Sequence, residues 1–323
     1  MTAAAKRVEY VPRCTCPLHD PSRGQGNQTL RLWDTIRDAP SLRTFRILRC
    51  ATCGVALTDP YPSESTLKWL YVGRQSVSNF DPIAGTIMDR LKGWFARRDI
   101  RYAHAVGGSP SVTTVLDYGA GSGRFSLACK QVFRACAVDA VDFDEEPPPE
   151  LRDVPRLRYL QHEAFLGESR QYDFIVLRAV LEHVHDPIGT LRALSQRLSP
   201  GGMLYLEVPC IDSAYIHYFG RSCNAYGVPY HLFNFDFGSL RLSLREAGLS
   251  AKVFAKGLPL AGCVLATTLR QERSLAHQMA GVLLHPVQLC LEARRGKYIL
   301  AAVCTKRHSD GLIDEPVCVT MAT

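Results

Sequence analysis

Val115-Leu116-Asp117-Tyr118-Gly119-Ala120-Gly121-Ser122-Gly123-Arg124-Phe125 is the stretch on which the fold turns. Val112 to Asp117 reads as a short apolar strand ending on an acid, and glycines follow at alternate positions, 119, 121 and 123. Glycine reaches backbone angles that other residues avoid and lacks the Cβ that would hold the chain away from a ligand. Such a loop at the carboxyl end of a strand brings N–H groups up to a bound molecule. A helix from about Arg124 points its positive end at the same place, which suits an anionic group. The spacing narrows the ligand. A dinucleotide loop needs G-x-G-x-x-G, yet the last position is Arg124 counted from Gly119 and Ser126 counted from Gly121. A Walker-type phosphate loop is excluded as well, because no G-K-[ST] follows.

Outward from the loop, strands and helices alternate. Phe125 to Phe133 suits a helix, Ala135 to Asp142 a strand, Tyr172 to Leu177 a strand and Ile188 to Leu198 a helix. The turn Ser199-Pro200-Gly201-Gly202 leads into a strand, Met203 to Val208. Leu240 to Ala247 reads as a helix, with Lys252 to Lys256 and Tyr298 to Thr305 as late strands. This order implies an α/β fold with a mostly parallel sheet covered by helices on both faces. The expected organisation is a cysteine-bearing module over 12–60, a helical lid or linker over 61–110 with Ser63 as N-cap, and the main domain over 111–305. That domain carries an insertion at 258–297, partly helical (Leu275 to Ala293), and a disordered tail is expected over 306–323.

The hydrophobic fraction of 46% and charged fraction of 21% are those of an ordinary globular protein. A net charge of +7 tolerates an acidic substrate but is too small and scattered to argue for nucleic acid. No apolar run reaches the roughly 18–20 residues that span a bilayer, and the N-terminus lacks the apolar core of a signal peptide. The chain is therefore expected to be cytoplasmic, a monomer or homodimer with no membrane partner. Of the 12 cysteines, eight stand singly, and burial is the expectation for those such as Cys129, Cys136, Cys210 and Cys304. The other four cluster near the N-terminus, where a cytosolic setting favours metal over disulfide.

The D-x-G-x-G-x-G pattern resembles that of class I S-adenosylmethionine-dependent methyltransferases. Further stretches carry the resemblance: Leu181-Glu182-His183-Val184-His185-Asp186-Pro187, Leu198-Ser199-Pro200-Gly201-Gly202, and Pro229-Tyr230-His231-Leu232 followed by Phe235. They are similar to the group that includes sugar C-methyltransferases and many natural-product O- and N-methyltransferases. The resemblance implies a Rossmann-like, mostly parallel seven-stranded sheet and S-adenosyl-L-methionine as cofactor. Asp117, Gly119, Ala120, Gly121 and Gly123 would form its loop. An acid at the end of the next strand would hold the ribose hydroxyls, Asp142 being favoured and Asp139 the alternative, since strand alternation puts them on opposite faces. Phe143, Glu163 (near the adenine) and Arg178 complete the expected cofactor contacts. Members of the group often begin with a zinc-binding module of the form C-P-x-C…C-x-x-C-G. Cys50 and Cys53 fit its second half; Cys16 and His19 fit the first with a histidine in the last place, and Cys14 is the other candidate for the fourth ligand. Four protein ligands would make the Zn2+ structural.

Methyl transfer to a hydroxyl or carbon acceptor needs a base, and histidine is the natural one near neutral pH. His231 and His183 are the candidates, with Tyr230 and Tyr71 behind them. The resemblance suggests a small-molecule acceptor: a sugar, nucleotide sugar, glycan or secondary metabolite. Two other readings stand beside it. One is a magnesium-dependent O-methyltransferase acting on a quinone precursor or RNA ribose through an E-x-x-E-H motif; here Glu182 and His183 fit, but Ala179 stands where the first glutamate belongs. The other is a non-catalytic binding protein with a methyltransferase-like fold.

Overall fold

The computed structural model describes residues 8–19, 29–38, 41–72, 87–108, 111–220, 225–257, 280 and 283–307. Seven strands form the main sheet: β6 (Thr114–Tyr118), β7 (Ala137–Asp142), β8 (Leu157–Gln161), β9 (Tyr172–Arg178), β10 (Leu198–Pro209), β12 (Leu249–Lys256) and β13 (Ile299–Lys306). Their order is β12-β13-β10-β9-β6-β7-β8. Pairing is parallel from β10 through β9, β6 and β7 to β8, while β13 runs antiparallel to both neighbours. The central strand β9 has Phe174, Ile175, Val176 and Leu177 all fully buried, as expected where helices cover both faces of a sheet. The expected mostly parallel seven-stranded α/β sheet is the one observed.

Helices α1 (Glu64–Val72), α2 (Ile87–Gly107), α3 (Arg124–Val132), α4 (His162–Leu166), α5 (Pro187–Gln196), α6 (Ala214–Phe219), α7 (Phe237–Glu246) and α8 (His285–Arg295) surround it. Helix α2 buries Ala96, Ile100 and Ala103 against the sheet. Ser63 accepts the Thr66 N–H at 3.3 Å, as its place ahead of α1 suggests. Helix α7 starts at Phe237, earlier than its apolar pattern indicates, because Asp236 and Ser239 form a reciprocal capping box. The late helix runs from His285 to Arg295. The rest of the insertion at 258–279, positions 73–86 of the lid and 308–323 of the tail lie outside the described residues. No helix among the described residues is long and apolar enough to cross a membrane.

A second, four-stranded antiparallel sheet has the order β11-β4-β3-β2, from β2 (Leu30–Arg37), β3 (Thr44–Cys50), β4 (Ala56–Asp59) and β11 (Phe233–Asn234). Two residues each of β1 (Tyr10–Val11) and β5 (Tyr61–Pro62) pair beside it. Three of the four strands come from the cysteine-bearing segment, and the fourth arrives from the far side of the sequence.

Asp173 fixes the amino ends of the main sheet. Its carboxylate accepts from the Thr113 N–H and hydroxyl, both at 2.8 Å, from the Thr114 N–H at 3.0 Å and from the Ser199 hydroxyl at 2.7 Å. Burial alone would raise its pKa, but the hydrogen bonds from Ser199 and Thr113 outweigh that and hold it at about 2 against the usual 3.8. A carboxyl lowered on folding contributes stability above its unfolded pKa and loses it as the pH falls towards its folded one. Asp173→Asn should therefore lose about 1–2 kcal/mol of unfolding free energy at pH 7, and the deficit should shrink between about pH 4 and 2. Thermal melts of both proteins across that range check this.

Candidate functional site

Three glycines make the loop after β6 possible. Gly119, Gly121 and Gly123 have φ of +80°, +50° and +73°. A Cβ on Gly119 would lie 2.2 Å from Val180 Cγ2. The loop is tied to the next strand: the Gly119 and Ala120 N–H groups donate to the Val141 carbonyl at 2.8 and 3.0 Å. Asp117 is buried beneath it and accepts from the Ser126 hydroxyl at 2.6 Å; burial pushes its pKa up to about 6.

The two acids of β7 part company as alternation demands. Asp142, at the strand's carboxyl end, accepts from the Gly121 N–H at 2.6 Å and the Phe143 N–H at 2.7 Å. Asp139 is buried on the other side, held by Arg158 at 2.9 Å, Tyr172 at 2.8 Å and Arg170 at 3.1 Å. Asp139 is thus committed to the fold, and Asp142 alone of the pair borders the loop. Beside it, the half-exposed Phe143 ring lies 4.8 Å from that of His162, and Tyr118 O–H meets His162 Nε2 at 2.7 Å. Tyr118 and His162 escaped the sequence reading, although Tyr118 ends β6 and His162 directly follows β8 on this edge. Glu163 is exposed and paired with Lys68 at 2.5 Å. Arg178, ending β9, donates to Glu207 at 3.0 Å and lies over the Phe125 ring.

A second group gathers just past β9. One ligand atom each of Glu182, His183 and His231 lie within 4.8 Å of one another. His183 Nδ1 is 2.9 Å from the Tyr230 carbonyl and 2.8 Å from Tyr71 O–H. A carbonyl only accepts, so Nδ1 carries a proton and donates it there. The His183 and His231 rings meet edge to face at 4.7 Å, and the Tyr71 and Tyr230 rings at 5.5 Å. Glu182 is buried, neither carboxyl oxygen has a hydrogen-bond partner among the described residues, and burial pushes its pKa up to about 8. Its Oε1 lies 3.9 Å from His183 Nε2.

The third group is the cysteine cluster. Cys16, His19, Cys50 and Cys53 bring their ligand atoms within 4.8 Å of one another. Cys16 and Cys53 sulfurs are 3.8 Å apart, and Cys50 sulfur is 3.7 Å from His19 Nε2. With bonds of about 2.3 Å to sulfur and about 2.0–2.1 Å to nitrogen, a tetrahedral zinc needs edges of about 3.6–3.8 Å, so the donor set fits. Hydrogen bonding from Cys16 leads the effects that draw the Cys53 thiol down to about 6, which favours the thiolate that binds metal. Cys14 is exposed, and its sulfur is not among the four gathered donor atoms, whereas His19 is.

Residues 91–251 match the family described as "Methyltransferase domain". The matched stretch holds the glycine loop, Asp142, His183 and His231. Among curated relatives, the chain is 32% identical over 106 residues to a ubiquinone biosynthesis O-methyltransferase of Pseudomonas paraeruginosa, covering 29% of this chain and 43% of that protein. It is 28% identical over 154 residues to the protein of the same name from Shewanella pealeana, covering 42% and 62%. The chain thus spans less than two thirds of these relatives. Among solved structures, coclaurine N-methyltransferase bound to N-methylheliamine and SAH aligns at 16% identity and TM-score 0.47, covering 70% of this chain and 74% of that one. A SAM-dependent methyltransferase from Archaeoglobus fulgidus aligns at 17% and 0.45, covering 74% and 99%.

A side chain at Gly119 would meet both backbone strain and Val180. Gly119→Ala should cost about 1–2 kcal/mol or more of domain stability, read by denaturant unfolding; an unchanged midpoint would contradict this loop geometry.

Proposed function

We propose that the protein is an S-adenosylmethionine-dependent methyltransferase acting on a small-molecule acceptor such as a sugar, nucleotide sugar, glycan or secondary metabolite. The observation that carries the reading is the glycine loop with Asp142 beside Gly121 at the carboxyl edge of the sheet. When bound, the cofactor supplies a methyl group on an electrophilic sulfonium. The chain's part is to orient: Asp117, Gly119, Ala120, Gly121 and Gly123 shape the loop, Asp142 would take the ribose hydroxyls, and Phe143 would contact the adenine. Glu163 and Arg178 flank this place.

The acceptor's proton is the other task. His183 or His231 takes it, with Tyr230 lining the acceptor side. His183 turns Nδ1 to the Tyr230 carbonyl, which leaves Nε2 as the nitrogen that would take the proton. Burial pushes the pKa of the neighbouring Glu182 carboxyl up to about 8, which favours its neutral form beside His183. In a second domain-level role, Cys16, His19, Cys50 and Cys53 hold a structural zinc.

One observation favours a different reading of the same residues. Two imidazoles and an unpartnered buried carboxyl are also a donor set for a divalent cation, as a magnesium-dependent O-methyltransferase would require. Magnesium prefers oxygen ligands in an octahedron, which argues for the base reading.

S-Adenosylhomocysteine should bind the purified protein by calorimetry, and Asp142→Ala should weaken it at least ~10-fold through loss of two charge-assisted hydrogen bonds; no detectable binding would sink the proposal. Magnesium titrated in the same cell separates the readings, since heat lost in Glu182→Gln would favour the cation. Metal analysis should find one zinc per chain, kept in Cys14→Ser and lost in Cys50→Ser.

A further inference from the structure

His231 belongs by sequence to the main domain, yet its backbone hangs from the other sheet. Strand β11 begins two residues later and is the edge partner of β4, with Phe233 opposite Leu57 and Asn234 opposite Ala56. Thr58, fully buried, contacts this segment twice. Its N–H donates to the Leu232 carbonyl at 3.2 Å, and its hydroxyl donates to the His231 carbonyl at 2.6 Å. From the opposite side the Leu232 and Phe233 N–H groups donate to the Glu182 carbonyl at 2.7 and 3.1 Å. Residues 231–233 are thus clamped between β4 and the turn that carries His183.

The same β4 grows directly out of the cysteine cluster. Cys50 ends β3, Cys53 lies in the turn to β4, and that turn is closed by Cys50 N–H to the Val55 carbonyl at 2.9 Å and Gly54 N–H to the Cys50 carbonyl at 3.0 Å. Arg49 binds the Gly54 carbonyl at 2.9 Å, Asp212 at 2.8 Å and Asp236 at 2.9 Å. Asp236 is two residues past β11 and caps α7. The turn of the cysteine cluster is therefore packed against Asp236, at the far end of the segment that follows His231.

We propose that the β3–β4 hairpin positions His231, with Thr58 as the positioning residue through which the metal state of the cysteine cluster reaches the acceptor side. This rests on the reading of His231 as an acceptor-side group. A metal at Cys50 and Cys53 fixes the turn, the turn fixes the outer edge of β4, and that edge sets where the His231 ring stands relative to His183. The competing account makes the Thr58 hydroxyl an ordinary buried hydrogen bond whose loss lowers stability and nothing else.

Nuclear magnetic resonance on the full-length protein separates the two. The His231 ring signals are assigned with His231→Gln and followed in Thr58→Val, in Thr58→Ser and in the parent after chelation under reducing conditions. Thr58→Val and chelation should each move the His231 ring signals and speed exchange of the Leu232 and Phe233 amides by ~10-fold or more. The Leu177 and Leu206 amides should keep their protection, S-adenosylhomocysteine affinity should stay within about twofold, and Thr58→Ser should match the parent. His231 signals and local exchange unchanged by chelation would overturn the proposal, even if Thr58→Val failed to fold. Absence of S-adenosylhomocysteine binding would sink the methyltransferase reading and leave this test intact.

Discussion

The Glu182 backbone carbonyl, accepting two N–H groups at once, joins the parts of this molecule. It stands just beyond β9, on a turn that opens with Ala179 at φ +52° and places Val180 where any side chain on Gly119 would sit. One short turn therefore packs the glycine loop, presents His183 and receives the segment that carries His231. The two sheets meet there, so the glycine loop and the two histidines share a single support. Shifting that turn would move both groups together, because close-packed interiors pass on displacements of a methylene or less.

Under the same edge lies a buried charge network. Lys256 pairs with Asp99 of α2 and with Glu207 at 2.5 Å, while Glu207 also takes the Arg178 guanidinium at 3.0 Å and the Tyr205 hydroxyl at 2.5 Å. Burial alone would raise the Glu207 pKa, but Lys256 and then Arg178 outweigh it and hold the carboxylate at about 2. Pairs of this kind add little net stability over an apolar core, although removing one partner strands a charge at a cost of roughly 3–5 kcal/mol. What the network does is fix direction. It locks α2 to β10 and β12 and holds Arg178 at the rim of the glycine loop.

Much of this was legible in the sequence where backbone constraint and burial act locally. The glycines at 119, 121 and 123 are demanded by positive φ, and β6, β7, β9 and β10 are apolar runs because both faces are covered. Strand β8 was missed because Arg158, its second residue, answers Asp139 on the neighbouring strand, a tertiary pairing with no local mark. Strand β11 is two residues long and exists only because β4 offers it an edge. The choice between Cys14 and His19 was closed to sequence because both satisfy zinc chemistry, and only the fold decides which one reaches the other three. The Tyr118–His162 contact likewise depends on two strand ends meeting across the sheet.

A crystal structure with S-adenosylhomocysteine should show its ribose hydroxyls on Asp142, its adenine beside Phe143, and its sulfur facing the His183–His231 pair. A ligand bound elsewhere, or one whose sulfur points away from both histidines, would contradict that placement.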